Sequence, residues 1–504
     1  MQISYNSKQM ASYKVLYTIT FFFFLFINST PTRGDYVALL ESQRALSRHI
    51  QKVSRVQHLL ANLTKEYTKD KSLKVCSEVV NEGYRLLGSV RRRMEGVTRY
   101  DSDTSSSIQT TFSAASTYLR TCSQTLKEAR KGKAHQFGSL LHHIDDVADN
   151  CSVEKVTLGA LQEATILKKN ADQGSSSGNV HSDHDILSTI NMIPPNRRIY
   201  VAQDGSGQFT TISAAIAAAP AGATDYFMIR VKPGWYNENV FVPPEKPFLV
   251  LAGSGKHVTV ITSNYSSASG YNTWNSATAR IQGSNFIAYD ITFENSAGPQ
   301  GGQAVAMLCS ANQAVFYRCS FRGYQDTLYA HAWKQFYRNC DIYGTIDFIL
   351  GDATAIFQSC HIHVEQPLPG QYNPIVAQQR QCSDGRTGFT IQNCIIYPAK
   401  GFHTSTQTYL GRPWGKSTRV AFISNQFNVM IQPPGWIPWY GIPSQVYLGE
   451  FNNTGLGASM TGRVAWPGVK SLTQPEAYNL TVDAMFGDVS WLDRSRVPYV
   501  RGLQ

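Results

Sequence analysis

Two aspartates, Asp326 and Asp347, stand 21 residues apart in frames that nearly repeat. The first lies in Gly323-Tyr324-Gln325-Asp326-Thr327-Leu328-Tyr329, the second in Gly344-Thr345-Ile346-Asp347-Phe348-Ile349-Leu350-Gly351. Two carboxyls held close together cannot easily both be charged. Their pKa values split, as an acid/nucleophile pair requires. Gln325 adjoins Asp326, and Gln303 lies 22 residues before Gln325. Their side-chain amides are N–H donors where an oxyanion would form. Arg412, in Leu410-Gly411-Arg412-Pro413-Trp414-Gly415, is able to grip a carboxylate with two parallel bonds and keep it ionised. Trp414 beside it offers a flat face to a sugar ring. The competing reading is structural: turn aspartates capping successive units, a surface arginine after a tight turn, and a core tryptophan.

The elements that would bring these residues together also repeat. Phe316-Tyr317-Arg318-Cys319 precedes one aspartate and Phe336-Tyr337-Arg338-Asn339-Cys340 the other. Phe357-Gln358-Ser359-Cys360 and, more weakly, Phe389-Thr390-Ile391-Gln392-Asn393-Cys394 follow, so the cysteines step by 21, 20 and 34. A fixed period near 20 signals stacked structural units. If each is one coil of a parallel β-helix, equivalent residues lie about 4.8 Å apart. From Ile199 onward the chain offers short β-rich runs such as Phe227–Val231, Phe248–Ala252, Val258–Thr262, Phe286–Phe293 and Val315–Tyr317, bounded by turn formers. The alanine-rich Ile212–Ala219 suits a helix capping one end. The expected architecture is a right-handed parallel β-helix over 199–504, preceded by an all-α four-helix-bundle domain.

That helical domain spans 36–167. Val37, Leu40, Leu46, Ile50, Val53, Val56, Leu60 and Leu63 keep a helical period, and Leu73, Val75, Val79, Val80, Leu86 and Leu87 continue it. No proline interrupts the region. Arg91, Arg92 and Arg93 read as a solvated face. A polar stretch with Gly174-Ser175-Ser176-Ser177-Gly178 opens a linker over 168–198, which ends on Arg197-Arg198, a dibasic pair suited to proteolytic processing. At the front, Val15–Ile27 is an apolar run preceded by Lys8 and Lys14, too short for the ~20 residues of a membrane span. It reads as a secretory signal peptide, taken as 1–30 with cleavage between Asn28 and Gly34. An uncleaved anchor is the alternative.

A formal charge of +11 over 504 residues is a moderate bias that attracts a polyanion through a salt-sensitive field. With no basic recognition helix, zinc-finger spacing or phosphate loop, nucleic acid is not the expected partner. Sequons at Asn62, Asn150, Asn264, Asn452 and Asn479 fit a glycosylated secretory protein. Nine cysteines, an odd count, leave at least one without an intramolecular partner. Coil spacing permits Cys319–Cys340 or Cys340–Cys360, not both. Cys76 and Cys122 suit a staple between two helices, whereas Cys151, Cys309, Cys382 and Cys394 have no assignable partner. His361 and His363 alternate on a strand but lack a third metal ligand, so no metal is expected.

These motifs resemble the plant pectin methylesterases, over Val201 to about Trp491: Gly234-Trp235-Tyr236-Asn237-Glu238, Gln303-Ala304-Val305-Ala306, the two aspartate frames and Leu410-Gly411-Arg412-Pro413-Trp414. The resemblance implies a right-handed parallel β-helix that hydrolyses the methyl esters of homogalacturonan without a cofactor. It implies Asp347 as nucleophile, Asp326 as acid then base, Gln303 and Gln325 as oxyanion donors, and Arg412 holding Asp347 ionised. Thr273, Gln303, Arg412 and Trp414 are the implied substrate-binding positions, and Cys340–Cys360 the implied disulfide. Ile346 and Leu350 stand where the family usually has Val and Phe. More weakly, Tyr36 to about Leu167 resembles the pectin methylesterase inhibitors, with Cys76 and Cys122 matching their cross-helix pair. The N-terminal cysteine pair of free inhibitors is missing. The implied role is a pro-region that masks the cleft, or aids folding and retention, until removed near Arg197-Arg198. A passive appendage is the alternative. The expected product is a secreted cell-wall monomer acting on methyl-esterified pectin, with its own pro-region or a separate inhibitor protein as partner.

Other functions compete. An inverting glycosidase wants its carboxyls about 6.5–9.5 Å apart, wider than one coil. A lyase would want clustered carboxylates for calcium, which the sequence does not offer. A non-catalytic binding protein would use the helical domain alone.

Overall fold

The computed structural model describes residues 33–95, 102–129, 138–148, 151, 193–383 and 385–504. The apolar run Val15–Ile27, the sequon at Asn150 and the linker residues 168–192 lie outside them. The asparagines of the other four sequons are exposed.

Four helices are described before the β-domain: α1 (Arg33–Glu66), α2 (Lys71–Glu95), α3 (Ser102–Ala129) and α4 (Gly138–Ala148). Without proline to break its ladder, α1 runs for 34 residues and buries Leu46, Ile50, Val53, Val56 and Leu60 along one stripe. Cys76 on α2 and Cys122 on α3 form a disulfide with Cα atoms 4.4 Å apart. Helix α3 differs from its neighbours: every residue from Thr111 to Ser123 is buried, polar ones included. A helix buried all round has a packed layer on each side. Here α2 covers one side, and the β-domain covers the other.

From Arg198 the chain winds into a parallel β-helix with faces of eleven, nine and seven strands. Each strand pairs with strands one coil away. Phe316, Tyr337 and Phe357 are in register on the interior of the eleven-stranded face, with stacked rings 4.9 and 4.7 Å apart. These are the steps of 21 and 20 seen in the sequence. The Phe-Tyr-Arg triplets, however, are offset by one residue. Phe316 pairs with Tyr337, and Phe336 pairs with Val315. Because side chains alternate across a strand, one residue of slip exchanges the faces. Phe336 therefore points outward, where it packs against Tyr499 of the C-terminal segment.

The cysteines correct a second expectation. Cys340 and Cys360 are not bonded to each other; Cys309, Cys319, Cys340, Cys360 and Cys394 are all buried free thiols. The Cys340 and Cys360 thiols lie 3.4 and 3.5 Å from the carbonyls of Phe316 and Tyr337, one coil back. Equivalent residues of stacked coils have parallel Cα–Cβ bonds. Their Cβ atoms stay about a strand spacing apart, ~4.8 Å, outside the ~3.5–4.5 Å a disulfide wants. The second disulfide is instead Cys151–Cys382, spanning 231 residues and joining the end of the helical region to the β-helix.

Two further features frame the site. The helix Ile212–Ala218 covers the first coils, its N-terminal N–H groups of Ile212 and Ser213 donating to the Glu238 carboxylate. Arg198 is the first residue of the first strand, in register with Met228, and its side chain donates to the Ile193 carbonyl. The dibasic pair thus ends in the sheet rather than in open linker, because the alternation of Ile199 to Val201 draws it into register. Arg197 is half-buried and pairs with Asp225.

Candidate active site

The turns from the nine-stranded to the seven-stranded face carry the aspartates. Asp326 sits between strands Ser320–Arg322 and Leu328–Ala330, and Asp347 between Asp341–Gly344 and Ile349–Gly351. The following strands pair Leu328 with Ile349, so the two turns are neighbours on successive coils. Both residues hold positive φ, 63° and 52°. Aspartate tolerates this left-handed region better than most residues, and such conformations concentrate where a site is preorganised. The backbone N–H of Asp326 donates to the Ile346 carbonyl at 3.0 Å and that of Asp347 to the Pro374 carbonyl at 2.8 Å. The backbone of each aspartate is therefore anchored to the next coil. One coil back, Gln303 forms a parallel bridge with Gln325.

Arg412, 65 residues from Asp347 in sequence, grips its carboxylate. Nε donates to Oδ1 at 2.8 Å and Nη2 to Oδ2 at 2.5 Å. The guanidinium lies 4.2 Å over the Trp439 ring, which stacks on Trp414. Tyr329 packs against Trp414 in turn. The sequence pointed to Trp414 but not to Trp439. The aromatic cluster Trp436 to Tyr440, which follows the arginine motif, was its one visible signal.

The electrostatics separate the carboxyls. Asp326 is held well above the usual carboxylate range by burial first, then by the charges of Asp347 and Glu128, with Arg412 opposing. Asp347 is also pushed up by burial, against the hydrogen bonds and charge of Arg412. Arginine was expected to hold Asp347 low. Dehydration outweighs it, and what survives is the order: the Asp326 carboxyl is raised further than that of Asp347.

Helix α3 packs against the face that carries these residues. The Tyr118 ring sits edge-on to His331 at 5.1 Å and to Trp274 at 6.0 Å. His331 is pushed down to about 3 by burial and bridges the domains, with Ser310 and Thr121 hydroxyls each 2.7 Å from its ring nitrogens. Arg120 and Thr117 reach the buried Asp352 of the β-helix. The Glu128 carboxylate accepts from the Thr273 hydroxyl at 3.4 Å. None of the contacts between the bundle and the β-helix was legible in sequence, since each joins residues more than a hundred positions apart. His361 and His363 lie outside the site: His361 faces Asp341, and His363 stacks on Tyr343. Among the described residues no cluster of His, Cys, Asp or Glu fits a metal ion.

Comparison with known proteins bears on this arrangement. The family model described as pectinesterase matches residues 198–488. A probable pectinesterase/pectinesterase inhibitor 7 of Arabidopsis thaliana is 42% identical over 352 residues, covering 68% of this chain and 59% of its own length. A probable pectinesterase/pectinesterase inhibitor 32 of the same plant is 46% identical over 327 residues, 64% of this chain and 62% of its own. The chain thus spans less than two thirds of these relatives. Among solved structures, the pectin methylesterase from carrot aligns with a TM-score of 0.60 at 41% identity, covering 62% of this chain and 99% of that one. An Aspergillus niger pectin methylesterase aligns at 0.53 with 31% identity, covering 60% and 96%.

Proposed function

The chain belongs to the pectinesterase family, and from that premise we propose that its β-helix hydrolyses the methyl esters of homogalacturonan, giving methanol and acidic pectin. One observation carries the reading: an arginine-gripped carboxylate, Asp347, lies one coil from a buried, proton-retaining carboxyl, Asp326.

The chemistry follows from the order of the two protons. Ionised Asp347 attacks the ester carbonyl carbon, and the tetrahedral oxyanion accepts N–H bonds from Gln303 and Gln325. Collapse breaks the bond to the methoxy oxygen, which takes the Asp326 proton and leaves as methanol. The resulting anhydride on Asp347 is attacked by water, whose proton passes to the Asp326 carboxylate. Breakdown frees the galacturonate carboxylate and restores both groups. Arg412 keeps Asp347 charged despite its burial, and Thr273 and Trp414 line the substrate path. No step needs a cofactor.

The helical bundle acts as a resident mask in this reading. Support comes from α3, which lies on Trp274 and His331 and brings Glu128 to Thr273. Removal near Arg197-Arg198, secretion to the wall and a monomeric product complete the proposal. No helix among the described residues is long and apolar enough to cross a membrane.

The solved carrot chain aligns over 99% of its length with 62% of this chain, about the share held by 199–504, which makes that segment the one to test. The test is methanol release from highly methylated pectin by segment 199–504 beside its Asp347→Ala variant. Methanol from the first and none from the second establishes the esterase and its nucleophile. Shortened polymer without methanol would establish a glycosidase or lyase instead.

A further inference from the structure

One row of outward side chains crosses the seven-stranded face: Phe241, Arg280, Leu308, Tyr329, Leu350 and Ala377 are in register, one per coil. Gly411 lies on the next strand, paired with Val376, and Arg412 follows it. The row therefore has an apolar middle with an arginine toward each end. Arg412 is accounted for by Asp347. Arg280 has no such role. It shares its coil with Thr273 and lies two to three coils, ~10–14 Å, from the coils of Asp326 and Asp347.

Arg280 is built in rather than loosely placed. Its guanidinium lies 4.2 Å from the centre of the Phe241 ring and 5.4 Å from that of Trp274. This aromatic clamp fixes the fork without using its N–H donors. The carboxylate those donors find is Glu78 of α2, at 3.3 Å. Trp274 is buried, yet its indole N–H has no hydrogen-bond partner. Beside it, the Thr273 hydroxyl donates to a second bundle carboxylate, Glu128. On this coil the β-helix supplies a guanidinium, a hydroxyl and an unused N–H. The bundle supplies carboxylates.

A cluster of donors with a clamped arginine suits a carboxylate on a ring that also carries hydroxyls. The methyl ester under attack has no charge to offer it. A unit that has already lost its ester does. Accepting the esterase reading above, we propose that Arg280, clamped by Phe241 and Trp274, is a subsite for a de-esterified galacturonate unit of the same polymer chain, and that Glu78 occupies it while the bundle is docked.

The test is titration calorimetry of a fully de-esterified galacturonate oligomer against segment 199–504, its Arg280→Gln variant and its Arg280→Lys variant, each first checked for an unchanged melting transition. Arg280→Gln is expected to bind about tenfold more weakly, the worth of one charged hydrogen-bond pair, with Arg280→Lys between. Equal affinity of wild type and Arg280→Gln, or no binding by wild type, overturns the subsite. A second readout is the KM for partially de-esterified pectin divided by that for fully methylated pectin. Arg280→Gln should raise this ratio several-fold, and an unchanged ratio also overturns the proposal. Binding does not depend on turnover. A wild type that binds the oligomer but releases no methanol overturns the esterase and leaves the subsite standing.

Discussion

Arg120 of α3 and Asp352 of the β-helix form an ion pair, Nη2 to Oδ2 at 2.5 Å, with both side chains almost wholly buried. They lie 232 residues apart and belong to different domains. Thr117, Thr387 and Gln378 donate to the remaining lone pairs of the carboxylate, which makes its burial tolerable.

Removing one side of such a pair strands a charge. Arg120→Ala in the full chain should cost about 3–5 kcal/mol of bundle docking. Asp352→Asn added to it should restore part of that loss, because an amide leaves no stranded charge. Methanol release by the full chain should rise in Arg120→Ala and fall back in the double variant. Identical release by wild type and Arg120→Ala would remove Arg120 from the lock.

The Cys151–Cys382 disulfide crosses the dibasic pair, with one cysteine before it and the other after it. Cleavage at Arg197-Arg198 should therefore leave two fragments that migrate together without reductant and separate with it. Release of the bundle then requires the cut and also two thiol equivalents, which become the reductant's own disulfide. Cut protein should gain methanol-releasing activity only after dithiothreitol. Full activation by protease alone would show that the link does not hold the mask. The five buried thiols serve as a control, since Cys309, pushed up to about 12 by burial, should resist alkylation until the β-helix unfolds.

Arg412→Ala in segment 199–504 should lower kcat by about 10²–10³, the usual cost of losing one preorganised electrostatic contact. It should also move the acid limb of the pH–rate profile upward. Arg412 opposes the upward shift of Asp347, so without it a higher pH is needed to ionise the nucleophile. A loss of rate with an unmoved acid limb would assign Arg412 to positioning alone.

Asp326→Asn should reduce turnover by about 10²–10⁴, as loss of a general acid does, yet make the protein more stable at neutral pH. Asp326 has a folded pKa well above 3.8, its ordinary value. Its stabilising contribution is complete below that ordinary value and is lost as pH rises through the folded pKa. Wild type and Asp326→Asn should differ by a constant amount in denaturant melts at and below pH ~4, and the gap should widen in favour of the variant above it. A gap independent of pH would mean that Asp326 is ionised in the folded state.

Much of this molecule was readable before any coordinates. The step of about 20 residues between Cys319, Cys340 and Cys360 determined the coil, and hence that Asp326 and Asp347 share one end of neighbouring turns. Side-chain identity and spacing along one strand are local properties, and stacking in register converts them directly into space. Register itself was not fully local. The Phe-Tyr-Arg triplets align in sequence one residue out of their spatial register, and only pairing across coils shows that Tyr337, not Phe336, faces the interior. The sequence allowed Cys340–Cys360, which parallel Cβ atoms then disfavoured. It left Cys151 and Cys382 without partners, and the folded chain joined them. The largest decision left to tertiary structure was where α3 lies. Its period marks a helix, but no pattern within it names Asp352, His331 or Thr273 as neighbours. Those contacts depend on two separately folded surfaces meeting, and complementarity between surfaces is not carried by the spacing of residues along either one.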